Sequence, residues 1–258
     1  MQNTKMPVIF LGHGSPMNAI ENNEFSDGWK NLAKTLPAPR AILCISAHWE
    51  TEGVFVTASE NPETIYDFYG FPEKLFAAKY DAPGNPALAK RICDIVTIAP
   101  VHLDKTRGLD HGVWSVLLPM YPEANIPVVQ LSLDRTKKPD FHYNLAKQLA
   151  PLREEGVLII ASGDIVHNLR MFNFHAQEPY DWSLRFNEKI KELIITGKHD
   201  EIINYKSLGQ DAALAIPTDE HYLPLLYAIA LQNSEEKISF INDKVMTSIS
   251  MTSVVIGK

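Results

Sequence analysis

Short apolar runs alternate with amphipathic stretches along most of this chain. Pro7–Leu11, Ala41–Ser46, Val54–Thr57, Pro127–Leu133 and Val157–Ser162 are apolar almost without interruption. A strand with one wet face alternates, so unbroken apolarity predicts strands covered on both faces, as in a largely parallel sheet. Helical spacing predicts helices over 29–36, 86–96, 111–120, 141–152, 182–195 and 223–231. The longest, 182–195, runs into Gly197, a residue suited to the left-handed turn that closes a helix. Ile238–Ile241 and Ser253–Ile256 are β-rich and predict late strands that could close an edge antiparallel. Strands separated by helices predict a three-layer α/β fold: one domain over 1–258, its central sheet mixed, largely parallel and flanked by helices.

Composition narrows this picture. With 258 residues and 45% hydrophobic content, the chain can build one sizeable core and is short for two ordinary domains. A formal charge of -7, with no Lys or Arg run, argues against nucleic acid as a partner. Cys44 falls in a strand-like run and Cys93 in a helix-like one, without disulfide or metal-ligand spacing, so two reduced thiols are expected. The N-terminus lacks the apolar core of a signal peptide. No segment approaches the ~20 apolar residues of a membrane span. A cytoplasmic protein with no membrane association is expected, either a monomer or a small homo-oligomer.

Ligands of open α/β sheets bind outside the carboxyl ends of the strands. Three of the clearest strands deliver a histidine there: His13 in Gly12-His13-Gly14, His48 in Ala47-His48-Trp49, and His167 in Gly163-Asp164-Ile165-Val166-His167. The glycines beside His13 allow positive φ and clear space around the ring, which favours a ligand over an incidental turn histidine. His48 is weighed against a core histidine beside Trp49, and its strand-end place favours the ligand. His167, several residues past the strand and expected in a first helical turn, could be a ligand, an acid/base group or a partner of Asp164. In Thr218-Asp219-Glu220-His221, Thr218 or Asp219 would cap the next helix, leaving Glu220 or His221 to reach a metal or merely favour the helix end. Asp110-His111-Gly112 opens another helix and reads equally as an ordinary cap or as a site. His102, His142, His175 and His199 sit in polar or helix-surface contexts and are expected to be solvated. Histidine-rich donors suit Zn, Fe, Ni or Cu rather than Ca or Mg.

Six segments in order resemble the class III extradiol dioxygenase superfamily, most closely its 4,5-DOPA dioxygenase branch. They are Gly12–Pro16, Ser46–Trp49, Tyr66–Pro72, Leu109–Trp114, Ser162–Leu169 and Pro217–Tyr222, spread over nearly the whole chain. Each alone is weak; six in order are specific. The resemblance implies an extradiol aromatic ring-opening dioxygenase acting on a catechol such as DOPA with O2, giving a muconate-semialdehyde-type product. It implies His13, His48 and His221 as metal ligands, with Glu220 competing for the third place. It makes His167 an acid/base residue close enough to coordinate as well, and His111 a second pocket histidine touching substrate or dioxygen. Tyr69 and Phe71 would line the pocket. Fe(II) is the metal implied for turnover, and Zn(II) is expected in recombinant protein because it outcompetes Fe(II) for nitrogen donors.

Two rival readings stand beside this one. Leu11-Gly12-His13-Gly14-Ser15 also resembles the opening of tetrapyrrole metal chelatases, although that leaves Ser46–Trp49 and Thr218–His221 unexplained. A non-enzymatic metal-binding partner protein of the same fold is the other, and it predicts an exposed apolar patch.

Overall fold

Parity along the strands sets the layers of this molecule, whose computed structural model describes residues 5–176 and 178–258. The first strand is β1 (Val8–Gly12), the second β2 (Ala41–Thr51) and the third β3 (Val54–Thr57). They are followed by β4 (Val101–Asp104), β5 (Val128–Asp134) and β6 (Val157–Gly163). Val8 and Phe10 of β1, Leu43 and Ile45 of β2, and Ile159 and Ala161 of β6 belong to one apolar cluster. Ile9 and Leu11, Ile42 and Cys44, and Leu158 and Ile160 belong to the other. Both faces are therefore covered, which is why these runs do not alternate.

Late strands complete the sheet: β7 (Ile238–Ile241), a two-residue pair β8 (Val245–Met246) and β9 (Ile249–Ser250), and β10 (Ser253–Ile256). The eight-stranded order is β4-β3-β5-β2-β6-β1-β10-β7, with β8 and β9 paired apart. The core β5-β2-β6-β1 is parallel. β10 runs antiparallel to both β1 and β7, so the expected antiparallel edge is present. β3 and β4 are parallel to each other and antiparallel to β5. The result is one α/β domain with a mixed sheet between helical layers.

The helices are α1 (Glu24–Ala33), α2 (Glu73–Phe76), α3 (Pro86–Ile95), α4 (His111–Met120) and α5 (Pro139–Lys147). Then come α6 (Ala150–Glu154), α7 (Asp181–Ile195), α8 (His199–Ile203), α9 (Gln210–Ala215) and α10 (Leu223–Ile229). Trp29 of α1 and Trp114 of α4 pack on one sheet face. Leu88 of α3, Leu145 of α5, Ile190 of α7 and Leu225 of α10 pack on the other. Helix α7 closes as its sequence predicts: Gly197 has φ 65°, and the amides of Gly197 and Lys198 return to the carbonyls of Ile194 and Leu193.

The elements differ from expectation in three ways. Helix α1 starts at Glu24, not Trp29, because the Asn23 side chain accepts from the amides of Phe25 and Ser26 while the Ser26 hydroxyl takes the Asn23 amide. The helix expected over 141–152 is two, α5 and α6. Pro151 lacks an amide proton, and its ring would clash with the carbonyl four residues back, at Lys147, where α5 stops. Strand β4 and helices α2, α8 and α9 have no counterpart in the apolar pattern.

No described helix is long and apolar enough to cross a membrane. Cys44 and Cys93 are free thiols.

Candidate metal centre

Strand β1 delivers His13 directly. Its amide extends the ladder onto Gly163 O at 3.1 Å, and Gly14 turns the chain away with φ 56°. A side chain at Gly12 would come within 2.6 Å of the Met251 backbone, so the close approach requires glycine there. The His13 ring is buried, and its Nδ1 lies 3.0 Å from Ser162 Oγ. Ser162 donates its one hydroxyl proton to Gly112 O at 2.5 Å. Nδ1 of His13 must therefore be the donor to Ser162, which leaves the Nε2 lone pair facing away from that bond.

His48 lies within β2 rather than beyond it, in an irregular stretch where the register with β5 shifts between Ile45 and Glu50. The Ser46 hydroxyl accepts the His48 amide at 3.2 Å. The Nε2 atoms of His48 and His13 approach to 3.1 Å.

His221 is brought in by the turn before α10. Its carbonyl accepts the Asp164 amide at 2.9 Å, which docks this turn on the end of β6. The ring is buried, and its Nδ1 meets Glu220 Oε1 at 3.0 Å. A carboxylate can only accept, so His221 carries its proton on Nδ1 and also leaves Nε2 free. Ring nitrogens of His13, His48 and His221 lie within 4.8 Å of one another. These three could hold a metal, with Glu220 orienting His221 from outside the group.

Thr218 and Asp219 do not cap α10 with their side chains; the Thr218 hydroxyl reaches Glu220 Oε1 instead. His167 is not in a helical turn. Its amide bonds Ala215 O at 2.9 Å, and it bridges to Ile249. Its ring stacks on that of His221 with centroids 3.4 Å apart and planes at 8°. It groups with Asp164 and His221, apart from the His13–His48–His221 trio.

Asp110 precedes α4 as expected, but its side chain caps nothing. Its buried carboxyl turns inward and accepts from Ser46 Oγ at 2.7 Å, from Gln130 Nε2, and from Arg107 Nη2 at 3.3 Å. His111 presents its ring to the cluster, with centroids 3.8 Å from His48 and 5.8 Å from His13. Asp67 holds it: Oδ1 accepts the His111 amide at 3.0 Å and lies 2.9 Å from Nδ1. The other Asp67 oxygen is 3.8 Å from His48 Nδ1. Phe68 meets the His111 ring edge-on at 5.5 Å. Tyr69 points out instead, 92% exposed, and Phe71 packs on Phe68.

Burial pushes His13 well below its ordinary value, and the charges of His48, His111 and His167 add to this. Burial, then His167 and the other ring charges, do the same to His221. Burial, then His111, lowers His167 to about 4. Burial raises the Asp164 carboxyl well above the usual range. At Asp67 burial works upward, but the hydrogen bonds and charge of His111 outweigh it and hold the carboxyl low. His13, His167 and His221 are thus neutral imidazoles near pH 7, the form that binds metal.

Of the histidines expected to be solvated, His102 and His175 are exposed. His142 is buried, its Nδ1 3.0 Å from Tyr227 Oη. His199 is half-buried between Tyr143 Oη at 2.9 Å and Gln232 Oε1 at 3.0 Å. Asp67, Ser46, Ser162 and Phe68 were given no role from the sequence. All four lie inside the segments that carry the family resemblance, the one signal that could have marked them.

These features define an α/β protein with a histidine cluster at the carboxyl edge of its sheet, one that could bind a divalent metal. The family model for the catalytic LigB subunit of aromatic ring-opening dioxygenase matches residues 7–256. A 4,5-DOPA dioxygenase extradiol of Escherichia coli K12 is 47% identical over the whole chain and 97% of its own length. One from Beta vulgaris is 39% identical over 92% of this chain and 90% of its own. The crystal structure of an uncharacterized protein from Escherichia coli K12 superposes with a TM-score of 0.86 at 44% identity, covering 98% of this chain and 100% of that one. The chain belongs to the LigB family of class III extradiol dioxygenases, and it is an enzyme of the aromatic ring-opening type.

Proposed function

We propose that this enzyme opens the ring of a catechol such as DOPA with O2, beside rather than between the hydroxyls, giving a muconate-semialdehyde-type product. A divalent metal would be held by His13, His48 and His221. The observation that carries this is the 3.1 Å approach of two Nε2 atoms, His13 and His48. Ser162 fixes the His13 proton on Nδ1, so its Nε2 lone pair faces His48 and calls for a cation or a shared proton between them. When bound, Fe(II) would supply a charge that favours the catecholate and an electron source for dioxygen, at the positions three protein donors leave open.

The remaining chemistry belongs to the chain's own side chains. His167 is neutral near pH 7, with its pKa pushed down to about 4. It therefore accepts a catechol proton and can return it later in the cycle. This acid/base role suits His167 better than ligation, since its nitrogens group with Asp164 rather than with His13 and His48. His111 has Nδ1 turned to Asp67, leaving Nε2 as its available nitrogen toward substrate or dioxygen. Phe68 packs against that ring at right angles. The names of the relatives support DOPA as the first substrate to try. The ring-opening dioxygenase family and the names of the relatives favour neither the chelatase nor the partner-protein reading.

The test is anaerobic loading with Fe(II), followed by DOPA in air. A yellow product with stoichiometric oxygen uptake, absent in His13→Ala and His48→Ala, is expected. Zn(II) has no redox chemistry, so the zinc form should not cleave. No product from several catechols despite confirmed iron loading would refute the proposal, as would equal activity in the zinc form.

A further inference from the structure

The backbone that carries His48 has little strand ladder to hold it. Strand β2 registers with β6 only as far as Ser46. Its register with β5 breaks at Ile45 and resumes at Glu50. Ala47, His48 and Trp49 therefore have no registered partner on either side. Backbone groups released from a ladder inside a protein must bond elsewhere. The His48 amide donates to Ser46 Oγ at 3.2 Å, and the His48 carbonyl accepts from Arg107 Nη2 at 3.2 Å.

Both of these partners converge on one carboxyl. The Ser46 hydroxyl accepts the His48 amide and donates its own proton to Asp110 Oδ1 at 2.7 Å. Arg107 Nη2 reaches Asp110 Oδ2 at 3.3 Å, and Gln130 Nε2 of β5 donates to the same oxygen. The Trp49 ring lies beneath the guanidinium of Arg107, 5.4 Å from its central carbon. Asp110 is fully buried and stands immediately before α4 and His111. All three groups bonded to it are donors, so it accepts at both oxygens. Burial, then the charge of Asp67, raise its pKa against the pull of the Ser46 and Gln130 bonds.

We propose that Asp110 is a positioning residue for His48. Through Ser46 and Arg107 it grips the peptide on each side of that residue, and through Gln130 it ties the grip to β5. The 3.1 Å approach of the His48 and His13 Nε2 atoms leaves the ring little tolerance, and a stretch without ladder bonds would let it drift. The same residue precedes α4, so one carboxyl also sets the His48 ring against that of His111, whose centroid is 3.8 Å away. Asp110 acts through His48 and touches neither metal nor substrate. Its role rests on the metal centre proposed above only for what His48 does there.

The experiment compares wild type, Asp110→Asn and Ser46→Ala by two readouts. The first is the His48 ring resonances of metal-free protein carrying isotope-labelled histidine, assigned with His48→Gln. The second is titration with Co(II) alone, following affinity and visible bands. Asparagine at position 110 turns an amide toward Gln130 and Arg107, donor against donor. Asp110→Asn should shift or broaden the His48 resonances and leave those of His142 in place. It should also bind Co(II) about 10- to 100-fold more weakly, with altered bands. Ser46→Ala removes the acceptor of the His48 amide, should act in the same direction to a smaller extent, and decides the matter should the asparagine variant misfold. A merely structural aspartate would lower the melting temperature and leave the His48 resonances and the Co(II) bands where they are. Unmoved His48 resonances in both variants would overturn the role of Asp110. Wild type that binds no Co(II) would overturn the metal centre alone, since the ring resonances are read without metal.

Discussion

His13 and His142 are both buried, and burial lowers the basicity of both. They differ in company. His13 sits among imidazoles whose charges add to the effect of burial. His142 lies between α5 and α10, with Tyr227 on Nδ1 and no partner on Nε2, and the charges near it are carboxylates that oppose burial. A buried, weakly basic histidine is therefore no mark of a site by itself. Convergence marks it: His13 and His221 are each anchored through Nδ1, and ring nitrogens of His13, His48 and His221 come within 4.8 Å of one another.

Replacing each histidine in turn is the widest test of that difference. His13→Ala in the iron-loaded enzyme is expected to lower ring-cleavage kcat by at least about 1,000-fold, since the metal would lose a donor. His142→Gln should leave kcat within about twofold. Oxygen uptake with DOPA measures both. Comparable losses in the two variants would erase the distinction between the regions.

Asp67 sharpens the comparison from the outside of the cluster. Its carboxyl is 22% exposed on the side chain, accepts the His111 amide and lies 2.9 Å from His111 Nδ1. Asp67→Ala should cost about 10- to 100-fold in kcat with a smaller change in KM, the size expected when a partner that orients a functional histidine is lost. Its thermal unfolding should stay near wild type. A loss confined to KM would show that Asp67 serves binding rather than the orientation of His111. Gly112→Ala tests the packing beneath His48. The added Cβ would overlap Ser46 Oγ and come within 2.9 Å of His48 Cδ2. Destabilisation of about 1–3 kcal/mol and a several-fold drop in activity are expected, read by denaturant unfolding and oxygen uptake.

What the sequence discloses follows the same line. Strand cores and the strand-end histidines are local features: an apolar run, then His13 or His48, is readable without knowing what lies opposite. His221 was within reach because its turn leads into an apolar helix. Asp67 has no such local mark beyond the family resemblance, since its role arises only when the loop at Thr64 bridges to Leu109 and sets the carboxyl beside α4. Strand β4 is short, with His102 and Leu103 exposed, so no apolar signal marks it. The start of α1 depends on the reciprocal bonds of Asn23 and Ser26, which polar neighbours disguise. His142 could have been placed correctly. It stands three and four residues before Leu145 and Ala146, on the one face that α5 buries.

That placement yields the smallest effect of the series, a pH dependence remote from the chemistry. Burial lowers the His142 pKa from 6.5 to about 4. The unfolded chain binds a proton at this position below about pH 6.5, whereas the folded one resists it until about pH 4. Stability from this residue is therefore complete above pH 6.5 and declines as pH falls toward 4. The difference of about 2.5 pKa units corresponds to roughly 3 kcal/mol as an upper bound. His142→Gln keeps a hydrogen-bonding group for Tyr227 but cannot titrate. Urea unfolding of metal-free protein, with chelator present so that metal loss adds nothing, should show the variant about 1 kcal/mol less stable at pH 7.5. Between pH 6 and 4.5 its stability should fall less steeply than that of wild type, by up to one proton's worth of slope. Identical slopes would mean that His142 takes up its proton without leaving its place against Tyr227, and burial would then count for less in this layer than it does around His13.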